Sequence, residues 1–138
     1  MRVNISDADD YLDDSTLDEG MYEVEVVKAE ARDTRSGFPM LIMEVVVSDG
    51  PTQMNSKSPY GAEATIFVVL DENASEKPKG RKLIKERVGN VFSSFGVSLD
   101  EEDEHVFVGR KALAKIRPGE DRDGFPINDV RRFKKLPV

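Results

Sequence analysis

Arg35-Ser36-Gly37-Phe38-Pro39 and Arg122-Asp123-Gly124-Phe125-Pro126 share the pattern Arg-x-Gly-Phe-Pro, and reading both as hairpin tips decides the fold. Each follows an acidic residue, Asp33 or Asp121, and each lies between two segments of strand character. Glycine supplies the positive φ of a tight reversal, and proline, lacking an N–H, suits the first residue of a strand. Each tip would hold an arginine and a phenylalanine out beside one another. Their weight comes from where they fall in the order of elements.

Before the first tip, residues 21–32 read as a strand, with Tyr22, Val24 and Val26 alternating with Glu23 and Glu25. Such alternation marks a sheet with one wet face. It breaks at Val26-Val27, which predicts a bulge or a strong bend. After the tip, residues 40–48 are nearly all apolar. That suits a strand buried on both faces, or one whose exposed face meets a ligand. A polar loop with proline and glycine (49–61) leads to a third strand at 62–70. Ala64, Ile66, Val68 and Leu70 would share one side of it, Thr65 and Phe67 the other.

The period then changes. Leu83, Ile84, Val88, Val91, Phe92 and Phe95 recur at three- and four-residue spacing, predicting a helix over about 76–95 with Phe92 and Phe95 in the core. Ser75 is the expected N-cap, Pro78 sits in the first turn, and Gly96 closes the C-terminus. The lysines and arginines of 77–87 read as a solvated helix face. Alternation returns at 105–117, where Ala112, Ala114 and Ile116 oppose Lys111, Leu113, Lys115 and Arg117, with a bend expected at Gly109. The second tip follows, and a last strand occupies 126–135.

The 138 residues allow one domain with a modest core. The formal charge of −7 is uneven. Residues 1–20 hold seven acids against Arg2, and Asp100-Glu101-Glu102-Asp103-Glu104 adds five more. Without those blocks, 15 acids face 19 basic residues, so the body is mildly basic. Residues 1–19 read as a mobile acidic arm: a solubilising tail, or a mimic of a nucleic-acid backbone that competes for a basic groove. Tyr11, Leu12 and Leu17 could anchor part of it. No apolar run is long enough for a bilayer, and with no Cys a reducing cytoplasm is the expected location.

Strand-strand-strand-helix-strand-strand, with tips between strands 1 and 2 and between strands 4 and 5, is the order of the OB-fold. That fold is a five-stranded barrel whose corresponding loops flank a face for oligonucleotides or oligosaccharides. The expected fold is thus mostly β, an OB-fold barrel over residues 20–138 with a helix between strands 3 and 4. An SH3-like barrel with an inserted helix is the competing architecture.

The layout resembles the small single-stranded-DNA-binding proteins encoded by bacteriophages, which use a lone OB-fold. The resemblance rests on Gly20-Met21-Tyr22-Glu23-Val24, the first tip from Thr34 to Pro39, Val108-Gly109-Arg110-Lys111 and Asn128-Asp129-Val130. It implies non-catalytic binding of single-stranded DNA, with RNA as the alternative, in replication or recombination within a host cytoplasm. Many such proteins end in an acidic tail that recruits replication partners. This chain instead places Arg131-Arg132-Phe133-Lys134-Lys135 near its end and its acids at the front. Recruitment of replication or recombination proteins would then fall to the N-terminal arm. The resemblance leaves the oligomeric state open, a homodimer included.

Binding single strands without sequence preference needs cations for phosphates and π-faces for bases. The expected site comprises Arg35, Phe38, Phe67, Lys111, Lys115, Arg117, Arg122, Phe125, Arg131 and Phe133. Phe38 and Phe125 could equally be packing plugs, and Phe67 would turn inward if the register slipped by one. The last strand is expected to carry Arg131 and Phe133 on one side, Arg132 and Lys134 on the other. Catalysis is not expected. Lys77-Pro78-Lys79-Gly80-Arg81-Lys82 lacks the spacing of a phosphate loop, and His105 alone supplies no nucleophile–base pair. No metal or other cofactor is implied, because the acidic clusters lack an EF-hand pattern. The rival function is an OB-fold interaction or assembly module that binds protein rather than nucleic acid.

Overall fold

The computed structural model describes residues 16–137. Its elements are β1 (Gly20–Asp33), β2 (Pro39–Asp49), β3 (Glu63–Val69), α1 (Pro78–Phe95), β4 (Lys111–Glu120) and β5 (Pro126–Lys134). Short 3-10 turns occupy Glu72–Ala74 and Glu104–Phe107. The strands form one antiparallel sheet in the order β3-β2-β1-β4-β5.

β1 is central because it serves two partners. Gly20–Glu25 pair with β4, whereas its pairing with β2 extends out to Asp33. A register shift between Val26 and Lys28 marks the exchange, at the break in alternation read from the sequence. Here Val26 N–H donates to the Arg110 carbonyl at 3.0 Å, and Gly109 N–H donates to the Val26 carbonyl at 2.8 Å. The bulge inverts which residues face inward. Tyr22, Val24 and Val26 are buried before it and Ala29 after it, so Lys28, Glu30 and Arg32 lie on the outer side.

β2 buries Leu41, Met43, Val45 and Val47 while Met40, Ile42 and Val46 stay half-buried, so it is not covered on both faces. β3 follows its expected register, with Ala64, Ile66 and Val68 inward and Thr65 and Phe67 outward. Ala112, Ala114 and Ile116 line the core from β4. That strand, however, starts at Lys111 rather than at residue 105. The preceding 3-10 turn brings Phe107 into the core, edge-on to Phe92 at 5.1 Å, and Gly109 at φ 86° releases the chain into the strand.

α1 seals the core with its C-terminal half, where Val91, Phe92 and Phe95 are buried; Leu83, expected on the same stripe, is 56% exposed. Gly96 caps the helix in the left-handed region, with Val97 N–H reaching the Phe92 carbonyl at 2.9 Å. Ser75 does not cap its start. The N-cap is Lys77 without a side-chain bond, and Ser75 Oγ instead donates to the Lys77 carbonyl.

β5 departs most from the sequence expectation. A register shift opposite Lys115 and Ile116 leaves Arg131 unpaired, so Val130 and Phe133 both face inward despite their odd spacing. Phe133, expected at the binding surface, is 2% exposed and packs against Phe95 at 5.2 Å. Its other face meets the Arg87 guanidinium at 5.6 Å. Burial lowers the pKa of Arg87, and Asp129 opposes that shift.

The sheet does not close into a barrel, since no ladder joins β3 to β5. Asn90 of α1 explains this locally, because its amide donates to the Phe133 carbonyl at 2.9 Å and accepts from Phe133 N–H at 3.0 Å. Arg87 takes the Arg131 carbonyl at 3.2 Å. The helix thereby holds backbone groups of β5 that a closing strand would use, and Pro126 has no N–H to offer. Across the seam, Asn128 Nδ2 donates to the Glu63 carbonyl at 2.9 Å.

Residues 16–19, assigned from the sequence to the arm, dock onto the domain. Leu17 is buried, and its N–H donates to Asn128 Oδ1 at 2.8 Å. Asp18 N–H donates to Gln53 Oε1, while Tyr22 Oη donates to the Asp18 carbonyl, both at 2.6 Å. The rest of the expected arm, with Tyr11 and Leu12, lies outside the described residues.

In urea unfolding, Phe133→Ala is expected to cost about 3–5 kcal/mol, as for other buried phenylalanines. Asn90→Ala should cost about 1–3 kcal/mol by leaving the Phe133 backbone unpaired. A near-neutral Phe133→Ala would return that ring to the surface.

Candidate functional site

The two look-alike tips fold alike. In the first, Thr34 N–H donates to the Phe38 carbonyl at 2.8 Å and Gly37 N–H to the Thr34 carbonyl at 2.9 Å. In the second, Asp121 and Gly124 make the same two bonds, to Phe125 at 2.9 Å and to Asp121 at 3.1 Å. Gly37 and Gly124 have φ of 86° and 83°, the left-handed residue of a tight hairpin loop. The equivalent of Asp121 is thus Thr34, not Asp33. Thr34 Oγ1 accepts from Phe38 N–H at 3.2 Å, as Asp121 Oδ1 accepts from Phe125 N–H at 2.9 Å. Asp121 also takes Asp123 N–H at 2.9 Å.

The two tips meet different stretches of β3. Pairing of Met40 with Val69, and the bond from Leu70 N–H to the Pro39 carbonyl, put the first tip beyond the C-terminal end of β3. Asp121 and Pro126 of the second tip share a groove of about 430 Å³ with Glu63, Thr65 and Phe67. The tips therefore bracket β3, a strand of seven residues or about 20 Å. Between them lies its outer face.

Phe67 dominates that face at 58% exposure. It pairs with Ile42, which pairs in turn with Glu30 of β1; next to this row, Val69 pairs with Met40 and Met40 with Arg32. Lys28 and Thr65 flank Glu44 in the adjacent row. The result is an apolar strip with cations at its margins. Arg32 Nη2 donates to both Glu30 oxygens at 2.9 Å, which lowers the Glu30 pKa. Arg35 and Arg122 are exposed and make no ion pair among the described residues. Phe125 is 65% exposed and Phe38 half-buried.

Of the residues expected to form one site, Arg35, Phe38, Phe67, Arg122 and Phe125 gather around β3. Lys111, Lys115 and Arg117 lie on β4 and Arg131 on β5, and each of the four is engaged by a carboxylate. Lys111 pairs with Glu23 at 3.7 Å and Lys115 with Glu19 at 3.9 Å. Arg117 and Arg131 converge on Asp129 Oδ2 at 3.4 and 2.8 Å. Phe133 leaves the site for the core.

Sequence reasoning missed Lys28, Arg32 and Ile42. The phase break at Val26-Val27 held the signal for the first two, since alternation restarted after it puts 28, 30 and 32 outward. Asp103, Glu104 and His105 bring ligand-type atoms within 4.8 Å of one another. Asp103 Oδ1 there accepts from His105 N–H at 3.0 Å and lies 3.0 Å from His105 Nδ1, contacts that lower the Asp103 pKa.

A family model described as "Protein of unknown function (DUF669)" matches residues 4–83, which include the first tip and all of β1, β2 and β3. No curated protein matches the chain.

Exposure and backbone geometry at these positions separate ligand contact from structural support. Phe67→Ala and Phe125→Ala should each change unfolding free energy by no more than about 0.5 kcal/mol. Gly37→Ala and Gly124→Ala should each cost about 1–2 kcal/mol through the left-handed backbone. A loss of several kcal/mol at Phe125 would make it a packing plug.

Proposed function

The chain belongs to the DUF669 family of proteins of unknown function, and from that premise we propose that it binds single-stranded nucleic acid, DNA foremost, without catalysis. The carrying observation is Phe67, a large aromatic ring left in water on the outer face of the edge strand β3, which two matching Arg-Phe tips bracket. A globular fold gains nothing from exposing such a ring, whereas an unstacked base gains a π-face worth about 1–3 kcal/mol. Phe125 offers a second stacking surface, Phe38 a partial one. Arg35, Arg122 and Lys28 supply charge for phosphates at the margins.

The order β3-β2-β1-β4-β5, with the helix between the third and fourth strands, supports reading the sheet as an OB-fold opened along the β3–β5 seam. On this reading the protein coats replication or recombination intermediates, as the bacteriophage-encoded proteins it resembles do. A second reading takes the same face as a protein-docking module. It is favoured by Glu30, Glu44, Glu63, Asp121 and Asp123, acids that share the face or its rim with the cations.

Fluorescence anisotropy with labelled oligo-dT separates the two. Binding is expected at low salt and should weaken steeply as salt rises, through counterion release. Phe67→Ala should cost about 1–3 kcal/mol of affinity. Arg35→Gln with Arg122→Gln should flatten the salt slope by about 1.4, or about 0.7 per lost phosphate contact. Competition with oligo-rU ranks RNA against DNA. Absence of wild-type binding at low salt, with a protein captured through residues 1–19, would transfer the face to the docking reading.

A further inference from the structure

The outer surface of β4 and β5, away from Phe67, carries cations in an arrangement that folding does not favour. The bulge that leaves Arg131 unpaired sets Arg132 directly opposite Lys115, and Lys134 opposite Leu113. Like charges facing each other across an antiparallel pair are destabilising. Neutralisation among the described residues is slight. Arg132 and Lys134 make no ion pair among the described residues, and Lys115 meets Glu19 at 3.9 Å with both side chains at least half exposed. Exposed pairs of that kind contribute little.

These cations surround a groove of about 570 Å³ lined by Gly20, Met21, Asn90, Lys115, Arg132 and Lys134, with Phe133 beneath. Asn90 is engaged on both sides of its amide by the Phe133 backbone. Phe133 itself is buried, so no ring stands ready for stacking. The groove's recognition chemistry is therefore that of two ammonium groups and a guanidinium. A guanidinium grips phosphate through paired N–H donors, and an anion between Lys115 and Arg132 would relieve their repulsion.

We infer that the β4–β5 groove of Lys115, Arg132 and Lys134 is a second, base-independent site for the phosphate backbone of the same single strand that stacks on β3. This rests on the single-strand reading above and extends it. The second tip joins the two regions, since it shares a groove with β3 and connects β4 to β5, with Arg122 exposed at the junction. Bases are held on one face and phosphates alone on the other. A short oligonucleotide can fill the first; only a longer one reaches the second.

The test uses the full chain and three labelled probes: dT of 8 nucleotides, dT of 24, and dT of 8 extended by 16 abasic nucleotides. Wild-type protein should bind the 24-mer and the abasic chimera within about threefold of each other, and both at least about tenfold more tightly than the 8-mer, as extra phosphate contacts require. Arg132→Gln combined with Lys134→Gln should remove that length advantage and flatten the 24-mer salt slope by about 1.4. It should leave 8-mer binding unchanged and should raise the urea midpoint slightly or leave it where it is, because it removes the repulsion between Arg132 and Lys115. A chimera that binds no better than the 8-mer overturns the inference, as does a double variant that weakens both lengths equally or neither. Failure of the wild type to bind any probe at low salt would overturn the underlying reading instead, and shows before any variant is made.

Discussion

One backbone exchange governs this molecule. At Val26, β1 passes between two partners, held by reciprocal bonds to Gly109 and Arg110 just before β4 begins. A regular strand of this length would keep one set of residues inward throughout. The bulge instead lets the first half bury Tyr22 and Val24 beside β4 while the second half buries Ala29 beside β2. The same inversion sends Lys28, Glu30 and Arg32 outward next to Ile42 and Phe67. Core and candidate surface thus depend on a single extra residue. The left-handed glycine at 109 is its counterpart, because the chain must turn sharply there to present its amide to Val26.

A second constraint acts at the opposite edge of the sheet. In a closed barrel, β3 and β5 would satisfy one another. Here Asn90 and Arg87 take backbone groups of β5, and the Asn128 side chain bridges to Glu63. Asn128 also accepts from Leu17, so the same amide fixes the segment leading into β1. Side chains thus take over several of the backbone bonds that a continuous ladder would have made. The open seam beside Phe67 is therefore held in part by side-chain bonds to backbone.

Charge is distributed with the same economy of place. Two acidic blocks carry −11 and the rest of the chain +4, and the sheet surfaces carry interleaved signs. Around β3 the cations stand at the margins of an apolar strip, where they can attract a polyanion while the aromatic ring contributes contact area. On β4 and β5 the ring is inside and the cations are outside. These are different chemistries on one sheet, and the difference comes from the bulge in β5 that turned Phe133 inward.

By itself the sequence determined the element order, the two tips, the bulge in β1, the inward faces of β3 and β4, and the glycine stop of α1. Each is a local property: alternation, helical spacing, or a φ that only glycine adopts cheaply. Tertiary structure alone decided that β5 would skip a residue, since Val130 and Phe133 both face inward only where a core awaits them and Asn90 can bind the displaced backbone. It also decided that residues 105–108 would turn, because Phe107 had a pocket between Phe92 and Phe95, and that both tips would come to rest against β3. Local pattern records which way a side chain prefers to point; how far apart two distant segments come to rest depends on what fills the space between them.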